Sequence, residues 1–182
     1  MKDLSMHVLD IAQNSIRAKA SEITIAIEEN PQSDKYIITI EDNGCGMDAN
    51  ELSKAIDPFY TSRTTRKVGL GLSLFKQNAE NSGGSFSISS QKNKGTKLTA
   101  VFGFSNIDRP VLGDITGTLL ILFSSDDEIN FTYSHKTDKG EFMVKTSEIK
   151  EMLDGVPINN PEIRSFLIDY LSTNLKQIQI SE

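Results

Sequence analysis

The sequence predicts an α/β protein, because helical and strand-like periodicities alternate along its 182 residues. Apolar side chains recur at helical spacing over residues 3–18 and again over 70–81. Each of these helical segments is followed, directly or after a loop, by two segments in which apolar and polar residues alternate, as in half-buried strands. Helical and strand-like segments interspersed in this way are typical of the α/β class.

The composition is that of a folded domain. Hydrophobic residues make up 37% and charged residues 24% of the chain, and both are interspersed along it. The net charge of −6, without a run of Lys and Arg, disfavours nucleic acid as a partner. Cys45 is the only cysteine, which fits a reducing compartment. The N-terminus shows no signal pattern and the longest apolar stretch, Leu119–Phe123, is too short to span a membrane, so we expect a cytoplasmic protein.

The periodicities assign the first half of the chain to regular elements joined by polar turns. The predicted helices cover residues 3–18, 48–56 and 70–81, and the predicted strands cover residues 21–29, 36–41, 85–90 and 96–104. Asp48 is the expected N-cap of the second helix. Residues 57–68 are polar and basic without periodicity, so we expect a mobile loop there.

A change of pattern near residue 105 predicts two units. Residues 1–105 form the first unit, and residues 106–112, which include Pro110, form the predicted linker. Residues 113–182 are predicted to form a small α+β unit, with a hairpin over 128–135 and 141–146 and helices near 147–153 and 161–177. Binding a partner, contacting a second copy and capping the first unit are the open alternatives for its role.

The first predicted helix carries a polar stripe beside its apolar face. His7, Asp10, Asn14 and Arg17 are spaced three, four and three residues apart and therefore share one side of the helix. An Asn amide oxygen suits Mg²⁺, which takes few protein ligands and completes its shell with phosphate oxygens and water. The stripe indicates a cation site facing a cleft, with a solvated helix face as the alternative.

The loop Glu41–Met47 follows the second predicted strand and contains two glycines that permit close approach of a ligand to the backbone. The Asp42 carboxylate can accept a hydrogen bond from an exocyclic amine such as that of adenine. The same Asp-Asn-Gly sequence is also typical of a tight turn that binds no ligand.

The segment Gly69–Ser73 lies where the polar loop enters a helix. Free N–H groups and the helix dipole at such a point favour phosphate oxygens, and Arg63, Arg66 and Lys67 add positive charge upstream. The segment is not a P-loop, because no Lys-Ser or Lys-Thr follows a four-residue gap between glycines. A Gly-x-Gly sequence also occurs without any bound phosphate.

Taken together, these motifs resemble those of the GHKL superfamily, which comprises DNA gyrase, heat-shock chaperone ATPases, histidine kinases and MutL. Residues 10–14 resemble its N box, 42–46 its G1 box, 57–61 its F box and 69–71 its G2 box, and Gly95-Thr96 resembles the Gly-Thr of its final strand. The resemblance covers residues 3–104 and is closest to the histidine-kinase branch. It implies a two-layer α/β sandwich, a mixed sheet with helices on one face.

The resemblance also implies roles for residues around a base and a cation. Asn14 is the expected Mg²⁺ ligand between the phosphates, and Asp42 is the expected acceptor for the adenine amino group, supported by Thr96 through water. Gly44 and Gly46 are expected to let the base approach. ATP and Mg²⁺ are therefore the ligands that the resemblance implies.

At the phosphate end, the resemblance makes residues 57–68 an ATP lid. Gly69 and Gly71 are expected to hold phosphate with the amides that follow them. Arg63 and Lys67 are the expected countercharges.

One position departs from the hydrolysing members of the superfamily, which place a glutamate four residues before the Asn. Asp10 stands there, so the carboxylate is one methylene shorter. It acts as a general base toward water or only orders Asn14, and both alternatives stay open. We expect a free-standing domain without the helical hairpin that carries the phosphoacceptor His of sensor kinases. His7 is expected to be structural or to support a site residue from behind, and His135 is expected to lie on a strand surface.

Two functions follow from these expectations. The first is an enzyme using Mg-ATP, either a slow ATPase or a kinase acting on a partner protein, as in the anti-sigma-factor serine kinases of the superfamily. The second is a non-catalytic switch, in which nucleotide orders the lid and so exposes or hides a surface for a partner protein. A third alternative is an α/β protein with decayed motifs, which nucleotide titration distinguishes from the other two.

Overall fold

The computed structural model of the protein describes residues 3–57 and 71–180. Helices and strands follow one another as predicted, with one additional helix. The helices are α1 (Leu4–Arg17), α2 (Ala49–Ala55), α3 (Gly71–Asn81), α4 (Ile115–Phe123), α5 (Thr146–Leu153) and α6 (Pro161–Gln177). The strands are β1 (Glu22–Asn30), β2 (Lys35–Asp42), β3 (Ser85–Gln91), β4 (Gly95–Gly103), β5 (Asn130–Lys136) and β6 (Glu141–Lys145).

The six described strands form one mixed sheet in the order β3-β4-β2-β1-β5-β6. β1 and β5 are parallel, and all other neighbours are antiparallel. The register places Asp42, the last residue of β2, opposite Ile23 of β1 on one side and Thr96 of β4 on the other. Two of the predicted site residues therefore meet at one end of the sheet.

Alternating side chains bury one face of the sheet beneath a layer of helices. Ile23, Ile25 and Ile27 of β1 are buried, whereas Thr24 between them is exposed. Burial of each isoleucine contributes about 1.5–3 kcal/mol relative to leaving it in water. In the helix layer, α1 packs against α3 and α4, and α4 packs against α6. This arrangement is the expected two-layer α/β sandwich.

The additional helix, α4, was not predicted because it is apolar on nearly every side. Ile115, Leu119, Leu122 and Phe123 are all buried, so the segment has no polar stripe to reveal a helical period. The α4 helix is covered by α1 and α6, which removes the need for a solvated face. None of the helices in the described ranges has both the length and the apolar character needed to cross a bilayer.

Strands from both sides of the predicted linker lie in the same sheet. β5 pairs along its whole length with β1, although the two strands belong to different predicted units. The linker is itself packed, since Leu4 N–H donates to the Val111 carbonyl at 2.9 Å. The division into units at residues 106–112 stays a prediction, while the described residues of both parts contribute to one apolar core.

His135 lies in the core, which corrects the expectation that it is on a strand surface. Its imidazole is fully buried, with Nε2 2.8 Å from Glu29 Oε1 and Nδ1 2.8 Å from the Tyr133 hydroxyl. Burial raises the pKa of Tyr133 well above its ordinary value, so the hydroxyl keeps its proton. The three side chains satisfy one another's polar atoms, which allows them to be buried together.

Candidate functional site

A cleft of about 690 Å³ lies between α1, α2, the first turn of α3 and the sheet. Small-molecule sites typically have volumes of roughly 300–1,000 Å³, so the cleft has the size of a ligand site. Apolar side chains of β2 and β4, including Ile40 and Leu98, line its sheet side. The predicted site residues that line the cleft are Asp10, Asn14, Asp42, Gly46, Gly71 and Thr96.

The Asp42 carboxylate is oriented by hydrogen bonds to both of its oxygens. Ser15 on α1 donates its hydroxyl to Oδ2 at 2.6 Å, and Gly44 donates its backbone N–H to Oδ1 at 2.9 Å. Ser15 is itself buried, so the helix holds the donor in a fixed position. Each carboxylate oxygen has a second lone pair, and Asp42 can therefore still accept a hydrogen bond from a ligand in the cleft.

The loop that follows β2 is tied to its neighbours on two sides. Asn43 Oδ1 accepts from the backbone N–H of Ser21 at 2.9 Å, next to the start of β1. Cys45 donates its backbone N–H to the Ala18 carbonyl at 2.8 Å, at the end of α1. The Cys45 residue is exposed and lines the cleft. These contacts hold the loop against the end of α1.

Gly44 and Gly46 are required by the packing of this loop. A Cβ atom at residue 44 would lie 2.8 Å from the Ala18 carbonyl oxygen, and one at residue 46 would lie 2.0 Å from the Gln91 carbonyl oxygen. Gly46 also has a φ of 61°, a conformation that side chains disfavour. Gly46 lines the cleft, whereas the predicted role of Gly44 in the approach of a base stays a prediction.

Thr96 is joined to the same loop through hydroxyl groups. Its Oγ1 lies 2.9 Å from Ser90 Oγ, which accepts the backbone N–H of Met47 at 2.8 Å. Because Thr96 is also the strand neighbour of Asp42, a hydroxyl and a carboxylate lie side by side at this end of the cleft. The pair can present both donors and acceptors to a ligand.

Asp10 and Asn14 lie one helical turn apart on α1 and both line the cleft. The Asn14 amide oxygen accepts a hydrogen bond from Nη1 of Arg17, which lines the cleft as well. A carboxylate, an amide oxygen and a guanidinium are therefore adjacent on one helix face. This donor set combines oxygen ligands suited to a hard cation with a group that binds phosphate.

The α2 helix forms another wall of the cleft but contributes no residue to the core. A capping box closes its N-terminus, in which Asp48 accepts from Glu51 N–H and Glu51 accepts from Asp48 N–H, both at 2.9 Å. The hydrogen bond from Glu51 N–H holds the pKa of the Asp48 carboxyl below its ordinary value. Asp48 is the predicted N-cap. Glu51 and Lys54 line the cleft from this helix.

Several predicted residues lie outside the described part of the chain. They are Arg63, Lys67 and Gly69, together with residues 58–68 of the expected lid. Gly71 is the first residue of α3 and is buried at the cleft.

His7 is buried between α1 and α3, as expected of a structural residue. Its ring stacks on Phe75 with the centroids 4.9 Å apart, and its Nε2 lies 3.0 Å from Nδ2 of Asn78. Burial lowers the pKa of His7 to about 4, so the imidazole is neutral at pH 7. A neutral Nε2 can accept a hydrogen bond from the Asn78 amide.

The sequence places Arg17 in the polar stripe but gives it no role of its own, and it does not assign Ser15 or Lys54 to the site. The helical spacing places Ser15 within the apolar face, and a hydroxyl in such a stripe was the available signal for a buried hydrogen bond. Arg17 belongs to the polar stripe, but spacing does not distinguish an Arg in a cleft from one in solvent. No sequence pattern indicates that Lys54 and α1 line the same cleft.

Comparison with known proteins identifies a family and individual relatives of the chain. The family described as histidine kinase-, DNA gyrase B-, and HSP90-like ATPase matches residues 2–106. The chain is 32% identical over 88 residues to the probable C4-dicarboxylate sensor kinase of Bacillus subtilis, covering 48% of this chain and 16% of that protein. It is 32% identical over 99 residues to the signal transduction histidine-protein kinase AtoS of Escherichia coli, covering 54% of this chain and 16% of that protein. The chain thus matches about a sixth of the length of these relatives.

Two solved structures share the fold at low sequence identity. The Aquifex aeolicus MutL ATPase domain complexed with ADP superimposes with a TM-score of 0.58 at 14% identity, covering 93% of this chain and 70% of that chain. The N-terminal domain of a DNA repair protein superimposes with a TM-score of 0.55 at 20% identity, covering 79% of this chain and 52% of that chain. The match to the MutL domain extends beyond residue 106, so the fold likeness includes much of the C-terminal part.

Proposed function

Because the chain belongs to the family of histidine kinase-, DNA gyrase B- and HSP90-like ATPases, we propose that it is an enzyme that uses Mg-ATP in this cleft. The reaction is slow hydrolysis of ATP or transfer of its terminal phosphoryl group to a partner protein. The observation that carries the proposal is the convergence of Asp10, Asn14 and Asp42 on one cleft. An ATP-binding domain of the histidine-kinase type is what the family and the relatives support directly.

Asp42 is the residue proposed to recognise the adenine base. Its two oxygens are oriented by Ser15 and Gly44, and each keeps a lone pair for the exocyclic amine of the base. Ile40 and Leu98 supply apolar contacts on the sheet side of the same cleft. An oriented acceptor beside an apolar surface suits a flat heteroaromatic ring with an amino group.

Asn14 is the residue proposed to ligate Mg²⁺, and its surroundings fit that role. In the structure its amide oxygen accepts from Arg17 and keeps a second lone pair that would ligate the cation. The adjacent Arg17 guanidinium would pair with a phosphate. When bound, Mg²⁺ neutralises charge on the phosphates. Gly71, at the start of α3, lies where backbone N–H groups can hold a phosphate oxygen.

Asp10 is the proposed general base. It lies one turn from Asn14 on a helix that is held at its start by the packed linker and along its length by α3 and α4. A carboxylate in this position can take the proton of an attacking water or of a hydroxyl of a partner protein. The shorter side chain, compared with glutamate, leaves space for an intervening water.

A non-catalytic switch is the second candidate, and the packing of α2 favours it. This helix lines the cleft but buries none of its residues, so few apolar contacts hold it in one position. Nucleotide in the cleft would then reposition α2 and change the surface offered to a partner protein, without turnover.

Asp10→Asn distinguishes the two candidates. The substitution keeps the size and much of the hydrogen bonding but removes the proton acceptor, so ATP binds while turnover falls about 10²-fold or more. Calorimetry gives the binding constant for Mg-ATP, and phosphate release at saturating Mg-ATP gives turnover. Transfer of labelled phosphate to proteins of a cell extract covers the kinase alternative.

Asp108→Asn, an equivalent change at an exposed residue, is the control and leaves both measurements unchanged. If the wild type shows neither phosphate release nor phosphate transfer, the enzymatic function is excluded and the non-catalytic switch becomes the proposed function. Failure of both wild type and variant to bind Mg-ATP contradicts the assignment of the cleft itself.

A further inference from the structure

The β6 strand ends the sheet, and no described strand pairs with its outer side. The backbone N–H of Thr137 donates to the Gly140 carbonyl at 2.8 Å and closes the β5–β6 hairpin. Hydrogen-bonded and non-hydrogen-bonded pairs alternate along antiparallel strands, so Phe142 and Val144 bond to β5. The backbone donors and acceptors of Glu141 and Met143 and the N–H of Lys145 therefore point toward the open edge, while the Lys145 carbonyl accepts within α5 as its N-cap.

Aromatic side chains of α6 lie beside this edge. The rings of Tyr170 and Phe142 contact each other with centroids 5.8 Å apart, and Phe166 stacks on Tyr170 at 6.1 Å. Phe166 is 63% exposed and Met143 is 51% exposed, so the edge strand and its flank present apolar surface to solvent. An open strand edge next to apolar surface is a place where a further strand can add.

The β6 sequence, Glu-Phe-Met-Val-Lys, is complementary to itself in antiparallel orientation. With a two-fold axis at Met143, Glu141 lies opposite Lys145 of the second copy, and Lys145 lies opposite Glu141. The directly opposed residues are the same three on each copy. The Met143 pair can form two hydrogen bonds and each Lys145 N–H can donate one to Glu141 of the other copy, about four in all, since the Lys145 carbonyl accepts within α5 as its N-cap. Lys145 pairs with Glu148 at 3.6 Å in the single chain, but both side chains are about half exposed and can exchange partners.

We propose that a second copy of this chain docks on the β6 edge, so that the two sheets continue through a pair of antiparallel β6 strands. The contact is isologous, with the same surface used by both copies. The Glu141–Lys145 pairs lie on either side of an apolar centre formed by Met143 of both copies. The second copy also covers the exposed Phe166–Tyr170 pair beside the strand. Charge complementarity selects this partner, because an unrelated strand would have to match both charges.

The other edge of the sheet lacks this complementarity. The β3 strand, Ser-Phe-Ser-Ile-Ser-Ser-Gln, carries no charged residue and offers no matching pair to a second copy. The cleft is built from β2 and β4, which β1 and β5 separate from β6. Docking at β6 therefore leaves both clefts of the dimer open to nucleotide.

Charge reversal on the full-length chain tests the proposal. Glu141→Lys places Lys opposite Lys at both ends of the strand pair, and Lys145→Glu places Glu opposite Glu. Each single variant is expected to raise the dimer dissociation constant at least about tenfold, as measured by sedimentation over a range of concentrations. An equimolar mixture of the two variants regains wild-type affinity, because each Lys then meets a Glu across the contact.

Recovery on mixing shows that the loss of affinity comes from like charges across the contact, because mixing cannot repair a variant's own hairpin, in which Glu141 lies opposite Lys136. Met143→Pro removes an outward N–H that β5 does not use and abolishes the dimer, whereas Met143→Val retains it. A wild-type chain that stays monomeric up to about 1 mM, or a mixture that fails to recover, overturns the proposal. A monomeric wild-type chain indicates instead that the charged residues of β6 prevent another strand from adding to this edge.

Discussion

Ser15 shows how one side chain on α1 orients an acceptor group in the cleft. Its hydroxyl lies 2.6 Å from the Asp42 carboxylate, at the end of a strand 27 residues further along the chain. The helix and the sheet are therefore joined at the point where the ligand is expected to bind. His7, on the same helix, makes the corresponding connection to α3 through Phe75 and Asn78.

Ser15→Ala is expected to weaken ATP about tenfold, equivalent to about 1.4 kcal/mol, because Asp42 loses the donor that orients it. Tripolyphosphate, which has no base, is expected to bind the variant within about twofold of the wild type. Competition between each ligand and a fluorescent nucleotide measures both affinities. Ser82→Ala is the matched control, since Ser82 is also buried but donates to the Ala79 carbonyl at the end of α3. Equal losses for both ligands would show that Asp42 does not read the base.

His7 is expected to make stability fall as the pH is lowered from 6.5 to 4. The pKa of His7 is about 4 in the folded protein and 6.5, its ordinary value, in the unfolded chain, so the unfolded chain takes up the proton first. The stability that neutral His7 allows is fully present above pH 6.5 and is lost as the pH falls through the folded pKa, by up to about 3 kcal/mol. Urea unfolding between pH 7.5 and 4 measures the free energy of unfolding.

His7→Gln removes the titration while keeping an acceptor for Asn78, so its unfolding free energy is expected to fall less over this pH range. The carboxylates of the chain titrate in both proteins, and the difference between the two curves isolates His7. Parallel curves would contradict a lowered pKa for this residue.

At the scale of elements, α4 and α2 represent opposite extremes of burial. The α4 helix is covered by α1 and α6 and is apolar on nearly all sides, whereas α2 buries no residue and lines the cleft. A helix with little polar surface stabilises the fold, while a weakly anchored helix can respond to a ligand. Loss of α4 would therefore reduce the stability of the fold, whereas loss of α2 would change the response of the cleft to a ligand.

Leu119→Ala is expected to destabilise the protein by about 2–5 kcal/mol, because the fully buried side chain leaves a cavity among α1, α4 and α6. Ile121→Ala, on the same helix but half exposed, is the matched control and is expected to change stability by no more than about 1 kcal/mol. Denaturant unfolding followed by circular dichroism measures both. If both substitutions lower the free energy of unfolding by similar amounts, Leu119 is not more buried than Ile121, which would contradict the packing of α4.

At the scale of the whole molecule, one sheet connects the cleft proposed to bind nucleotide to the proposed β6 contact. The family match ends at residue 106, but β5 extends that part of the sheet by pairing in parallel with β1. Glu29, His135 and Tyr133 form a buried polar cluster across this pairing and contribute directional contacts there that apolar side chains cannot. The C-terminal part thus completes the core formed by the first.

Local patterns in the sequence were sufficient for most elements and for some of the residues that line the cleft, but not for Ser15, Arg17 or Lys54. Helical spacing identified α1, alternation identified the strands, and the Asp-Asn-Gly and Gly-x-Gly motifs located Asp42 and Gly71, because these signals depend only on neighbours in the chain. Tertiary structure alone decided that α4 is a helix, that β5 joins β1 and that His135 is buried with Glu29. Each of these depends on which distant segment covers an element. A helix that is buried on all sides has no polar face for periodicity to detect, and a polar side chain can be buried when a partner on a neighbouring strand satisfies it.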